Sequence, residues 1–76
     1  MTDVELIAAL KAGNETAFMR LVKMHHATMV RVARNFVGSE AVAEEVTQEA
    51  WLAVLGGLDG FEGRSSLRTW IFKILC

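Results

Sequence analysis

The chain has 76 residues, a hydrophobic fraction of 53%, no proline, one cysteine and a formal net charge of −1. This length predicts one small domain, and a single cysteine excludes an internal disulfide and a cysteine-based metal cluster, so packed apolar side chains have to supply the stability. The pI of about 6.1 is unlike the basic value of most free-standing DNA-binding modules. Apolar runs are too short for membrane insertion and the first residues lack a basic signal region, so we expect a cytoplasmic protein.

The first half of the chain predicts two helices. Thr2 and Glu5 have the spacing of a capping box, which begins a helix that ends at Gly13. Asn14 caps a second helix, over residues 15–37, that contains no helix breaker. Its apolar stripe has the period of an amphipathic helix and comprises Phe18, Leu21, Val22, Met29, Val32, Ala33 and Phe36.

Ser39 caps a third helix, which ends at the glycine pair 56–57. With about 100° per residue, its predicted buried face comprises Val42, Val46, Ala50, Ala53 and Val54. The side pointing away carries Glu45, Gln48 and Leu52, and the flanks carry Glu44, Trp51 and Leu55. An apolar anchor inside a polar rim is typical of a protein-binding surface. Packing of Trp51 and Leu55 inside the bundle is an equally good interpretation, and the sequence leaves both open.

A loop over residues 58–64 precedes a fourth helix, which Ser65 or Ser66 caps. The predicted buried stripe comprises Leu67, Trp70, Ile71, Ile74 and Leu75. The other side carries Arg68, Thr69, Phe72 and Lys73, and Arg64 lies in the loop. Cationic side chains that bind phosphates and an aromatic ring that stacks on bases are typical of a site for single-stranded nucleic acid. A phenylalanine such as Phe72 is, however, more often a residue that packs in the core or between helices. The periodic pattern still runs at Cys76, so we expect a fragment of a longer protein.

No stretch shows the period of two that is typical of a strand. The sequence therefore predicts one all-α domain over residues 1–76, a compact bundle of four helices with the fourth helix cut short. Charge is segregated along it. Residues 20–34 contain four bases and no acid, whereas residues 39–55 contain four acids and no base. Surfaces of opposite sign indicate two unlike partners, or two helices that attract each other.

No catalytic arrangement is visible in the sequence. Glu44 and Glu45 are adjacent and so point apart on a helix, and the serine pair 65–66 lacks the glycines of a nucleophile elbow. His25 and His26 have no metal-ligand spacing, and we expect surface or packing roles for them. We predict no enzymatic activity and no cofactor or metal.

Two blocks of the sequence, residues 42–52 and 61–74, resemble region 2 of bacterial sigma factors of the extracytoplasmic-function (ECF) group. The family pattern has an acidic pair, then Gln-Glu, a gap, and Phe-x-Gly-x-Ser followed by Thr-Trp and an aliphatic-aromatic-basic run, and both blocks match it at the family spacing. The resemblance implies the sigma region 2 fold, with RNA polymerase core and promoter DNA as partners. An anti-sigma factor is a further partner that this resemblance allows. We expect the helix-turn-helix domain of the family, which reads the −35 element, to be absent.

The resemblance also implies a division of labour between the helices. In the family, the third helix docks on the clamp helices of the largest-type polymerase subunit. The residues here that match the polar contact positions are Glu45, Gln48 and Glu49, and Leu52, one turn further on, is expected to contact the polymerase with them. The loop and fourth helix recognise and melt the promoter −10 element and capture the non-template single strand. The matching residues here are Arg64, Ser65, Ser66, Arg68, Thr69 and Lys73. Phe61 and Trp70 are expected to hold the loop and helix in place. The alternative is a helical adaptor that binds proteins and has no role at DNA.

Overall fold

A computed structural model describes residues 2–76 as four α-helices and one short 3-10 helix. The α-helices are α1 (Asp3–Lys11), α2 (Glu15–Ala33), α3 (Glu40–Gly57) and α4 (Leu67–Leu75), and the 3-10 helix spans Leu58–Gly60. This described part contains no strand, which confirms the predicted all-α bundle. None of its helices is both long and apolar enough to cross a membrane.

Each α-helix begins after a residue whose side chain caps it. The side-chain oxygens of Thr2, Asn14, Ser39 and Ser66 each accept a hydrogen bond from the backbone N–H three residues further on, at 3.0 to 3.2 Å. These bonds satisfy donors that the first turn of a helix leaves unpaired, and each cap is worth about 1 kcal/mol. The predicted caps of α1, α2 and α3 are confirmed, and Ser66 rather than Ser65 caps α4.

The core is built from one side of each helix. Leu21 and Met29 of α2, Val54 of α3 and Ile71 of α4 are fully buried. Burial of a side chain of this kind contributes about 1.5–3 kcal/mol, and it is the main stabilising contribution in a domain without a disulfide. In α4 the predicted stripe is confirmed, because Leu67, Ile71 and Leu75 are buried while Trp70 and Ile74 are half-buried.

Helix α2 ends at Ala33, four residues before the predicted end at residue 37. The backbone N–H of Asn35 donates to the carbonyl of Val32, and that of Phe36 donates to the carbonyl of Ala33, both at 3.0 Å. These bonds span three residues instead of four, so the chain tightens into turns and leaves the α-helical register. Phe36 is consequently 53% exposed, so this residue of the predicted apolar stripe does not pack in the core.

Helix α3 is rotated about its axis relative to the prediction. Its buried residues are Ala43, Thr47, Ala50, Trp51 and Val54, whereas Val42 and Ala53, which were predicted to be buried, are exposed. Trp51 is only 6% exposed, and its ring meets the ring of Phe18 edge to face at a centroid distance of 5.8 Å. A tryptophan side chain buries much more apolar surface than valine or alanine, so its burial decides the rotation of the helix. Of the two open interpretations of Trp51, packing inside the bundle is correct.

A polar network joins α2 to α3 beside Trp51. The indole N–H of Trp51 donates to Nδ1 of His26 at 3.1 Å, and Nε2 of His26 lies 3.0 Å from Oε2 of Glu44. Because Nδ1 accepts a hydrogen bond from Trp51, the ring proton lies on Nε2, and this N–H donates a hydrogen bond to the carboxylate of Glu44. The four bases of residues 20–34 form no ion pair with an acid of residues 2–76, so ion pairs between these bases and the acids of α3 do not hold the two helices together.

His25 is buried where α2 packs against α4. Its side chain is 7% exposed, its ring meets the ring of Phe72 edge to face at 6.3 Å, and its Nδ1 has no hydrogen-bond partner within residues 2–76. Burial lowers the pKa of His25, the positive charge of Arg68 on α4 lowers it further, and Asp3 on α1 opposes the shift. The ring is therefore neutral in the folded protein at neutral pH.

We expect the free energy of unfolding to fall as the pH drops below 6.5, the ordinary pKa of histidine. The unfolded chain binds a proton at His25 more readily than the folded protein does, so acid favours the unfolded chain by up to about 1.4 kcal/mol per pH unit. Urea unfolding of the wild type and of His25→Leu, from about pH 7.5 to about pH 5, measures this contribution. The pH dependence is expected to be smaller in His25→Leu, with His26→Gln as the control for the second imidazole. Equal pH dependence in the wild type and His25→Leu would contradict the prediction.

Candidate protein and nucleic-acid interfaces

The outer side of α3 carries the four residues that were predicted to bind polymerase. Glu45, Gln48 and Glu49 are exposed, and Leu52 is 69% exposed. At about 100° per residue these four positions lie within one side of the helix, which we name the α3 face. Leu55, which is 49% exposed, extends the apolar area at its edge. No carboxylate of the α3 face takes part in an ion pair within residues 2–76, so these carboxylates are available to a partner. The α3 face therefore presents the apolar side chain of Leu52 surrounded by polar groups.

The structure divides the six residues predicted to contact DNA among four places. Arg64 lies in the loop with its side chain 85% exposed, and its guanidinium is 3.3 Å from the carboxylate of Glu62. Ser65 is half-buried and lines a cleft between the loop and α1. Arg68, Thr69 and Lys73 line a groove between α4 and α2. The sixth residue, Ser66, is the cap of α4.

The hydroxyl of Ser66 is occupied by helix capping. Its Oγ accepts a hydrogen bond from the backbone N–H of Thr69 at 3.1 Å and donates to Oγ1 of Thr69 at 3.0 Å. A hydroxyl has one proton, so in this geometry Ser66 has no further hydrogen bond to donate. Its observed role is to begin α4, and its contact with DNA stays a prediction.

The groove between α2 and α4, of about 510 Å³, combines cations, a ring and small side chains. Its lining residues include Thr28 and Val32 of α2 and Arg68, Thr69, Phe72 and Lys73 of α4. The guanidinium carbon of Arg68 lies 4.9 Å from the centroid of the Phe72 ring, a cation–π distance. Phe72 therefore packs against its neighbours and also lines the groove. Sequence reasoning missed Thr28 and Val32, because nothing in α2 alone indicates which of its flanks faces α4.

An aromatic pair and a glycine shape the loop before α4. Phe61 is buried, and its ring centroid lies 4.6 Å from that of Trp70, which agrees with the expectation that these two residues hold the loop to the helix. Trp70 also passes close to Gly57, where a Cβ would lie 3.1 Å from the ring atom Cζ2. Gly63 has a φ of +74°, a conformation that side chains other than glycine rarely adopt, and it lets the chain turn between the two ends of the loop.

Two hydrogen bonds connect α1 to the ends of this loop. Nζ of Lys11 donates to the carbonyl of Phe61 at 2.6 Å, and the backbone N–H of Leu67 donates to Oδ2 of Asp3 at 3.2 Å. A cleft of about 390 Å³ lies between α1 and the loop. Sequence reasoning missed both bonds because the partners are 50 and 64 positions apart, where no local pattern relates them.

Comparison with known proteins agrees with this arrangement of helices and loop. Residues 21–75 match the family model described as Sigma-70 region 2. The chain is 33% identical over 72 residues to the RNA polymerase sigma factor CnrH of Cupriavidus metallidurans. This alignment covers 95% of this chain and 38% of CnrH. The chain is 31% identical over 74 residues to the ECF RNA polymerase sigma factor SigM of Mycobacterium tuberculosis and to the ECF RNA polymerase sigma-E factor of Escherichia coli, covering 97% of this chain and 38% of each relative.

The chain thus spans about two fifths of the length of these curated relatives. The family match extends over more than half of the chain and includes α3, the loop and α4. The chain therefore belongs to the sigma-70 region 2 family and is a region 2 domain of the ECF group.

Proposed function

We propose that this chain is the part of a transcription initiation factor that docks on the clamp helices of the largest-type RNA polymerase subunit and recognises and melts the promoter −10 element. The observation that carries the proposal is that one small domain exposes two surfaces of unlike chemistry. The α3 face is apolar and acidic, whereas the loop and the groove between α2 and α4 are basic and aromatic. The names of the relatives, which are RNA polymerase sigma factors, support the same assignment.

The α3 face has the composition of a docking site for another protein. Leu52 is the apolar anchor, and burial of a leucine side chain in a partner contributes about 1.5–3 kcal/mol. The rim of Glu45, Gln48 and Glu49 offers acceptors and charge that orient a basic partner more than they add affinity. An anti-sigma factor that covers this face is a further proposed partner, since Leu52 and Leu55 expose apolar surface there.

The loop and α4 have the groups that a separated DNA strand requires. Arg64 in the loop and Arg68 and Lys73 in the groove supply cations for phosphates, and the ring of Phe72 lines the groove beside Arg68. Extrusion of a base from the duplex costs a few kcal/mol, which capture of the strand and contacts made by polymerase have to offset. The domain is therefore proposed to act on DNA as part of the polymerase complex.

For polymerase docking, we expect Leu52→Glu to weaken binding to an isolated clamp-helix fragment by about tenfold or more, because the change places a charge in the apolar centre of the interface. Gln48→Ala is expected to weaken binding less, and the wild type to bind with micromolar affinity or better. Isothermal titration calorimetry measures both. Met24→Glu is the matched control, since Met24 is 57% exposed on α2, away from the α3 face. Equal affinities of Leu52→Glu and the wild type would exclude the α3 face as the docking site.

For DNA binding, we expect Arg64→Ala and Lys73→Ala to weaken binding of a labelled single strand of randomised sequence by the chain in complex with the clamp-helix fragment. Each change removes a cation, so the slope of log affinity against log salt is expected to fall by about 0.7 per change. Fluorescence anisotropy at several salt concentrations measures the slope, with Lys23→Ala on α2 as the charge-matched control. A protein-binding adaptor predicts no effect of Arg64→Ala or Lys73→Ala beyond that of Lys23→Ala.

A further inference from the structure

We propose that Asp3 and Lys11 of α1 are positioning residues for the loop of residues 61–66, holding it in the shape in which it captures a base of single-stranded DNA. The inference rests on the proposed function, because this is the loop proposed to contact the −10 element. Asp3 and Lys11 belong neither to the α3 face nor to the groove between α2 and α4. Their role is to hold the loop against the body of the domain.

Asp3 completes the cap of α4 from a distant part of the chain. A helix leaves its first backbone N–H groups without internal partners, and a negative group near them is favourable. Ser66 satisfies the N–H of Thr69, and Oδ2 of Asp3 accepts from the N–H of Leu67 at 3.2 Å. The point at which the loop becomes helix is thereby attached to α1.

Lys11 holds the other end of the loop. Its Nζ donates to the carbonyl of Phe61 at 2.6 Å, a short bond of the charge-assisted kind. Phe61 follows directly after the 3-10 helix, against which α1 packs, and its ring lies on Trp70. The loop therefore begins and ends at residues that α1 holds.

Between these two bonds the loop has few contacts of its own. Glu62, Gly63 and Arg64 are exposed, and the ion pair between Arg64 and Glu62 lies too far in solvent to order the backbone. A loop that becomes ordered only on binding loses affinity, whereas a loop already held in the binding shape does not. Helix α1 supplies the order that the exposed middle of the loop lacks.

Because Asp3 is negatively charged, the direction in which Asp3→Ala changes DNA affinity distinguishes a positioning role from an electrostatic one. Loss of a negative charge strengthens binding to DNA by electrostatics alone, so weaker binding by Asp3→Ala requires an effect on the position of the loop. Asp3→Asn keeps an oxygen that can accept from the N–H of Leu67 and is the conservative rescue. Glu15→Ala is the matched control, because Glu15 is an exposed acid in the first turn of α2.

Hydrogen exchange at the backbone amide of Leu67, measured by NMR without DNA, tests the attachment itself. Exchange in Asp3→Ala is expected to be about tenfold faster than in the wild type, because the amide loses its acceptor. Exchange in Asp3→Asn and Glu15→Ala is expected to stay close to the wild-type rate. An unchanged rate in Asp3→Ala would overturn the attachment, whatever the DNA measurements give.

The consequence for DNA is tested with single strands of randomised sequence, enriched on the wild-type chain bound to the clamp-helix fragment. Asp3→Ala is expected to bind the enriched strand about tenfold more weakly than the wild type, with unchanged affinity for the clamp-helix fragment. Lys11→Met is expected to lose more affinity than Lys23→Met, which removes the same charge from an exposed position on α2.

The outcomes separate the two proposals. If the wild type enriches no strand, the proposed function fails and this inference fails with it. If the wild type enriches a strand that Asp3→Ala binds equally well or better, the proposed function stands and the positioning role is overturned. Equal losses of DNA affinity in Lys11→Met and Lys23→Met would show that Lys11 acts only through its charge and does not position the loop.

Discussion

Burial of the Trp51 side chain determines which residues of α3 meet solvent. Its ring packs against Phe18, and its indole N–H donates to His26, which also contacts Glu44. A buried N–H without an acceptor costs about 1–3 kcal/mol, so the hydrogen bond and the apolar contact favour the same orientation of the helix. At about 100° per residue, the buried residues Ala43, Thr47, Ala50, Trp51 and Val54 share one side of α3, and Leu52 lies on the opposite side. The exposed α3 face is thus a consequence of packing on the opposite side of α3.

Helix α4 shows the same relation between a packed side and a free side. Leu67, Ile71 and Leu75 are buried at a spacing of four residues, and each contributes about 1.5–3 kcal/mol to holding this rotation of the helix. Arg68 and Lys73 then remain at the surface without any cost in core packing. The groove forms only because α2 packs beside α4 and supplies its second wall.

Features that depend on residues within one or two helical turns could be predicted from the sequence, and features that depend on another helix could not. The caps and the buried stripe of α4 are local, and the exposure of the α3 face follows from periodicity. The inward side of α3 was predicted only in part, because Trp51 competes with the valines for the interior and its contacts with Phe18 and His26 of α2 decide the rotation of the helix. Helix α2 was predicted too long because its end tightens into turns without a breaker inside the helix. The ties from α1 to the loop join positions too far apart for any local signal.

A net charge of −1 is compatible with action on DNA because the acidic and basic residues lie in different parts of the domain. Residues 39–55 hold four acids and no base, whereas residues 61–76 hold three bases and one acid. The Debye length at physiological salt is about 8 Å, so a phosphate near α4 interacts mainly with the charges closest to it. In the proposed complex, polymerase already holds the α3 face, and the contact with DNA takes place at a high effective concentration. Such a domain needs fewer phosphate contacts than a free-standing DNA-binding protein, and its pI can therefore stay below neutral.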